Sequence, residues 1–511
     1  MKQNVLIHTF LFLFITNAFC SGFDVKTSSV IDQPGLEVLG DYNGSWYLIG
    51  FEKPGRLNEP PRYKIFKYAS GFPSAKTSPI YPSFGEKTIY LQAAFINNKI
   101  SMFYGKCNRL SEIEALSDTR EGHKQIPVIL RQDYDPNTLE PVGAAQVVFN
   151  RDEVGFAASG IDIAESEDKS KIAVLIKSYY KEQNYKIILT DNNLGQVYAR
   201  VFSLKQLKEY ISFRSLKVGN GGQILIAAKT RNDILSLAQN TKNIKQIRYW
   251  FFSIDKNQNE PAVLNFSSSV DGDKFIAEPT TALLNNGEIL IVNNFFQDER
   301  TVVVKGVLLS KYNTKFSFIG KKEIIPDAKF LALSSVYQDS KKENGLPYLE
   351  TRQLLPLDGG DFMLISEYHR TLENHDQPSA PIQKNCYLAT YRIDEKMDIK
   401  DFHFIPKKQV SSAFDYAFSA QAYRKGSDVF LFHNDDWEAD EEHGMNLQCT
   451  RLLANGSEPE PENRIHTSND FFTSMKKLYY SADGRILFTE EKLVDYESVS
   501  REIKLLEVTF K

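Results

Sequence analysis

Short apolar runs recur along this chain, each just after a tight polar turn. The runs are Trp46–Ile49, Ile100–Phe103, Ile172–Ile176, Ile224–Ile226, Ile289–Val292, Phe362–Ile365, Val429–Phe432 and Ile486–Phe488. Each is apolar on successive residues and rich in β-branched or aromatic side chains. That pattern predicts strands covered on both faces. The turns before them are Asn43–Ser45, Asn97–Lys99, Glu167–Ser170, Asn220–Gly222, Asn285–Gly287, Asp358–Gly360, Lys425–Ser427 and Asp483–Gly484. Asn, Asp and Gly recur there because tight hairpins need φ > 0, which these residues tolerate.

Beyond each run lies a polar loop and then a further strand, such as Tyr185–Leu189, Ile247–Ile254, Val302–Leu309 or Tyr387–Ile393. A weaker fourth strand follows, as in Val197–Phe202. Eight turn–run units, repeated with a long period, predict an all-β repeat fold of four-stranded antiparallel sheets. The chain resembles the β-propeller superfamily. It is most similar to secreted bacterial propellers whose blades carry a Ser-Pro-Asp-Gly turn between their first two strands. Ser481-Ala-Asp-Gly484 matches with Ala for Pro, while the other turns keep only their Asn/Asp and Gly character. The resemblance implies architecture alone, since propellers host many unrelated functions.

The blades are expected at about 36–80, 86–152, 155–205, 209–268, 275–330, 347–408, 412–466 and 468–511. If the first two are one decorated blade, the count falls to seven. A large β-sandwich is the rival architecture. The last blade supplies three clear strands, so Phe23–Ile31 is expected to be its fourth, closing the ring and hiding the sheet edges. Leu204–Tyr210 and Asn232–Lys245 are expected to form short helices over loops.

The 511 residues carry a net charge of −4 and no long basic stripe, which gives no electrostatic case for nucleic acid. Residues 1–20 read as a signal peptide: Lys2, an apolar run through Phe10–Ile15, then Ala18-Phe-Cys20. The run is too short to span a membrane, and no later stretch is long enough. Lipidation of Cys20 is less favoured, because Phe19 stands where the lipoprotein pattern has a small residue. A secreted or periplasmic location, or the cell surface, is expected. Cys107, Cys386 and Cys449 do not make a disulfide framework, and buried thiols are expected for Cys386 and Cys449.

The long loops fall between the second and third strands: Lys53–Arg62, Lys106–Gln125, Lys229–Gln246, Phe295–Thr301, His369–Lys384, His433–Met445 and Glu491–Arg501. Loops on a rigid scaffold are where binding groups concentrate. The densest constellation is His433-Asn-Asp-Asp-Trp-Glu-Ala-Asp-Glu-Glu-His443. Its carboxylates Asp435, Asp436 and Glu438 are weak candidates for Ca²⁺ or another metal, because no Gly sits mid-loop. A solvated acidic loop is the plainer reading, so no cofactor is expected. Trp437 among polar neighbours suits a sugar ring or a partner's side chain, with His433, Asp436, His369 and Arg370 as further binding candidates.

For catalysis, Glu367 ends a buried strand. Asp435 or Glu490 follows the equivalent strand of a nearby blade. Two such acids are how propeller glycosidases arrange acid–base work. The plainer reading of Glu367 is an ion pair with Arg352 or Arg370. No Gly-x-Ser-x-Gly elbow, His-Glu-x-x-His site, Gly-rich phosphate loop or Ser-x-Asp-x-Gly-x-x-Trp box occurs. The sequons headed by Asn43, Asn265 and Asn455 matter only in a eukaryotic secretory host. The expected function is therefore a non-catalytic binding or scaffold module for a protein or glycan. The alternative is a carbohydrate hydrolase using a carboxylate pair.

Overall fold

The computed structural model describes residues 23–511 except 32–35, 53–61, 80–87, 107–124, 231–246, 271–273, 297–302, 326–345, 373–381, 412–419, 436–445, 468–470, 496–499 and a few single or paired positions. The fold is an eight-bladed all-β propeller, each blade built on four antiparallel strands. Blade 1 holds Glu37–Tyr42, Ser45–Glu52, Arg62–Ala69 and Ala75–Thr77. It is a sheet separate from blade 2, which holds Thr88–Ile96, Lys99–Lys106, Val128–Tyr134 and Pro141–Asn150, so the seven-blade count does not hold. Blade 3 runs from Ala158–Glu165 through Lys171–Ser178 and Asn184–Asp191 to Gly195–Ser203. Blade 4 runs from Ile211–Val218 through Ile224–Thr230 and Arg248–Ile254 to Ala262–Ser267. Blade 5 holds Thr280–Leu283, Ile289–Phe296, Val303–Tyr312 and Phe318–Ile324, and three shorter strands extend its sheet.

Blade 6 holds Leu349–Pro356, Phe362–Leu372, Ile382–Ile393 and Ile399–Ser411. Blade 7 holds Ala420–Lys425, Asp428–Asp435, Asn446–Leu452 and Asn463–Thr467. Blade 8 takes Phe472–Tyr480, Arg485–Asp495 and Ser500–Phe510 from the end of the chain. Its fourth strand comes from the beginning: Phe23–Thr27 pairs antiparallel with Leu506–Phe510, and Ile31 bridges to Ile503. The closing strand expected from the sequence is thus in place. The chain divides into two compact units. One holds residues 48–66 and 77–325, the other residues 1–47, 67–76 and 326–511.

Each of the eight hairpins between first and second strands contains a residue with positive φ. Asn43 and Gly44 supply it in blade 1, Lys169 in blade 3 and Gly484, at 83°, in blade 8. In the last of these, Gly484 N–H donates to Ser481 O, and the Ser481 hydroxyl accepts from Arg485 N–H. The residues that follow are continuously apolar for a reason visible in the packing. Alternate side chains of a strand point to opposite faces, and each face meets a different blade. Ile172, Val174 and Ile176 pack with Phe103, Ile129 and Phe149 of blade 2. The intervening Ala173 and Leu175 pack with Ile224, Ile226 and Trp250 of blade 4. In the second unit, Met363 and Ile365 meet Val429 and Leu431, while Phe430 and Phe432 meet Ile486 and Phe488. Each of these Val, Leu, Ile, Met and Phe side chains contributes about 1.5–3 kcal/mol.

A second repeated turn, not read from the sequence, joins third and fourth strands. Asp135, Asp255, Asn313 and Asp394 each accept, through Oδ1, the N–H two residues on. Such Asx turns mimic a backbone turn. In three of them an apolar residue then takes the left-handed conformation: Leu139 at φ 67°, Phe316 at 58° and Met397 at 69°. All three side chains are buried, and that burial offsets a strain of roughly 1–2 kcal/mol.

Of the expected helices, a 3₁₀ turn forms at Lys205–Leu207 within the first, and the second, Asn232–Lys245, lies outside the described residues. A four-residue helix at Arg151–Val154 was not anticipated; Asn150 caps it by accepting from Asp152 N–H. Cys449 is a buried free thiol, and burial pushes its pKa up. The side chain of Cys386, Cys107 and residues 1–20 lie outside the described residues.

Candidate functional site

The sequence directs attention to the ends of the second strands in blades 6, 7 and 8. In blade 6 every residue from Phe362 to Glu367 is buried, and the Glu367 side chain has no exposure at all. An unpaired carboxylate there would be prohibitively costly. Two strands of the same blade answer it. Arg352, on the first strand, donates from Nε to Glu367 Oε2 at 3.0 Å. Lys407, on the fourth strand and equally buried, pairs with Oε1. Arg352 also reaches the half-exposed Glu350 at 2.9 Å. Glu367 is therefore the centre of a buried ion-pair cluster spanning three strands of blade 6. His369 and Arg370 continue its strand, opposite Asn385 and Lys384, and their side chains lie outside the described part.

In blade 7, His433 is fully buried and pairs across the sheet with Ala420 and Gln448. Burial, helped by the Lys407 charge, pushes its imidazole down to about 3. His433 is thus neutral at ordinary pH. The next residue, Asn434, donates from Nδ2 to Thr473 O of blade 8 at 2.6 Å, tying the two blades at this end. Asp435 ends the strand opposite Asn446, with its side chain outside the described part. Asp436, Trp437 and Glu438 lie outside the described residues altogether.

In blade 8, Glu490 stands opposite Thr473 and Lys504 and is 1 % exposed. Its Oε1 lies 3.0 Å from Nε2 of His466 on the fourth strand of blade 7. Sequence reasoning named Glu490 and Arg352 but missed Lys407 and His466. Both lie on fourth strands, far in sequence from the acids they meet, and no local pattern marks them.

The three second-strand ends share one design. Polar groups sit below the surface, and each described carboxylate is met by a basic side chain. The connections between second and third strands begin just beyond them. In blades 1, 2, 4, 5, 6, 7 and 8 most of each connection lies outside the described residues.

No family model matches the chain, and no curated protein matches it. Solved structures do. A prolyl endopeptidase matches at 8% identity and TM-score 0.39, over 91% of this chain and 55% of its own, so the chain spans about half of that enzyme's length. The polysaccharide lyase Uly1 matches at 11% identity and TM-score 0.42, over 95% of this chain and 99% of its own. The β-propeller domain of the Trilobed protease from Pyrococcus furiosus matches at 12% identity and TM-score 0.35, over 83% of this chain and 94% of its own. At these identities and scores the likenesses carry no argument about chemistry.

Proposed function

We propose that this chain is a non-catalytic binding or scaffold module, delivered outside the cytoplasm, whose second-to-third-strand loops engage a protein or a glycan. The observation that supports the reading is the state of Glu367. A general acid must reach the glycosidic oxygen. Glu367 has no exposed surface, and both carboxylate oxygens are occupied by Arg352 and Lys407. Glu490, the other described candidate, is equally withdrawn beside His466. A blade that uses its strand-end acid to bind its own strands together is built for rigidity. The long loops then carry recognition.

Trp437 is the proposed anchor of that recognition, with Asp436, His369 and Arg370 as further proposed contacts. The test is a glycan array together with affinity capture from the native medium, run on the wild-type chain and on Trp437→Ala. Ligand binding that Trp437→Ala abolishes, with melting temperature unchanged, is the expected result. Turnover of a polysaccharide by the wild-type chain would replace this reading with the carbohydrate-hydrolase alternative.

A further inference from the structure

Blade 4 gathers charge at the end where its second strand leaves for the third. Its first strand begins there too, with Ile211 opposite Thr230 and Lys229 opposite Tyr249. Arg214 is an extra residue in this ladder. Phe213 pairs with Ala228 and Ser215 with Ala227, so the strand bulges at the residue between them. A bulge re-aims the side chain it carries. That of Arg214 is 43% exposed, and its Nε lies 3.4 Å from Oε1 of Glu278, just before the first strand of blade 5. The other oxygen of Glu278 accepts from Lys229 Nζ at 3.2 Å. Arg248, half exposed, pairs with Glu209 at 2.8 Å.

Two carboxylates thus serve three cations, and one positive charge is left over. The Arg214 guanidinium has donors to spare. Its ion pair runs through Nε, and its terminal amino groups make no hydrogen bond among the described residues. Those two nitrogens form a flat fork that matches two oxygens of a carboxylate or a sulfate. The fork is carried by a strand, not a loop, and it stands open to solvent. Tyr210, directly before that strand, is also exposed. An exposed aromatic ring can take the apolar face of a sugar.

We propose that this end of blade 4 binds an acidic glycan, one that carries carboxylate or sulfate groups, an assignment that rests on the glycan reading of the loop face. The anion lies on the terminal amino groups of Arg214, while Glu278 keeps Nε and Lys229 and so holds the fork in place. Lys229 and Arg248 add to the positive field around it. The sugar ring lies on Tyr210. An acidic peptide offers the charge on flexible stems, without a rigid ring that is apolar on its face and anionic at its edge.

The test titrates the full chain by calorimetry, at one fixed salt concentration, with polygalacturonate, dextran sulfate, neutral dextran and poly-L-glutamate. An acidic glycan is expected to bind and neutral dextran is not, and the tighter of the two acidic glycans names the anion. Arg214→Gln should weaken that binding about tenfold. Lys256→Gln removes the same charge from the exposed third-to-fourth-strand turn of the same blade and should leave binding unchanged. Glu278→Gln removes a competing negative charge and should tighten it about threefold. Equal effects of Arg214→Gln and Lys256→Gln would overturn the site, and poly-L-glutamate binding more tightly than either acidic glycan would overturn the ligand class. Should Arg214→Gln not fold, the gain from Glu278→Gln decides. Dextran bound through Trp437, with neither acidic glycan bound, would overturn this proposal alone. Failure of every polymer, with a blank glycan array and no captured partner, would overturn the loop-face reading as well.

Discussion

The indole N–H of Trp46 donates to Glu507 Oε2 at 2.6 Å, joining residues 461 positions apart. Glu507 lies on the third strand of blade 8 and Trp46 on the second strand of blade 1, and neither has any exposed surface. Glu507 also accepts from Ser70 Oγ at 2.7 Å, from Gly71 N at 3.2 Å and from Arg485 Nη1 at 2.9 Å. Arg485 reaches on to Asp41 at 2.9 Å and lies over the Trp46 ring. Blades 1 and 8 are thus held together by one buried carboxylate. Trp46→Phe keeps an aromatic ring in the core, gives up some buried volume and removes one donor to a charged group. It should cost about 1.5–3 kcal/mol. Glu507→Gln leaves Arg485 its pairs with Asp41 and Asp483 but removes the charge that four donors share and turns an amide N–H₂ toward some of them, so it should cost more than Trp46→Phe, about 3–5 kcal/mol. Denaturant unfolding of the two variants checks both the magnitudes and their order.

Acid should unfold the protein through His433. Its folded-state pKa of about 3 lies below the ordinary 6.5. The unfolded chain therefore binds the extra proton first as pH falls. The stabilisation is complete above pH 6.5, and between pH 6.5 and 3 it is lost at about 1.4 kcal/mol per pH unit. His433→Gln cannot titrate. Its stability should fall less steeply than that of the wild type across this window, whatever its absolute value. Parallel slopes in urea titrations from pH 7 to 4 would show that His433 is not the group responsible.

Gly306 lies within a strand of blade 5, where a Cβ would stand 2.4 Å from the main-chain oxygen of Ile324 and 2.8 Å from the Phe295 ring. The first of these is backbone and cannot rotate away. Gly306→Ala should destabilise by about 1–3 kcal/mol. By contrast Gly160, where nothing lies within 4 Å, should accept Ala with little change. A thermal melt of each variant separates close approach from mere loss of flexibility.

What was legible in the sequence was what local chemistry dictates. Eight tight hairpins each need a positive φ, and Asn or Gly announced most of them; Lys169 shows that its turn could be found only from the strand behind it. Runs such as Ile172–Ile176 were readable because their two faces meet two blades, which removes polar residues from both. The third-to-fourth-strand turns stayed hidden because Leu139, Phe316 and Met397 are apolar residues in a conformation that usually signals Gly or Asn. The partners of the acids were also hidden. Lys407 and His466 meet Glu367 and Glu490 only through the arrangement of strands, and Glu507 binds residues more than 400 positions away.

Glu367→Gln gives the most direct test of the account. Removing the charge strands the fully buried Lys407, so unfolding free energy should drop by about 3–5 kcal/mol while ligand binding by the folded fraction stays unchanged. An unaltered unfolding curve, together with loss of a polysaccharide-cleaving activity measured in the wild type, would contradict it: Glu367 would then be a catalytic acid and not a structural one.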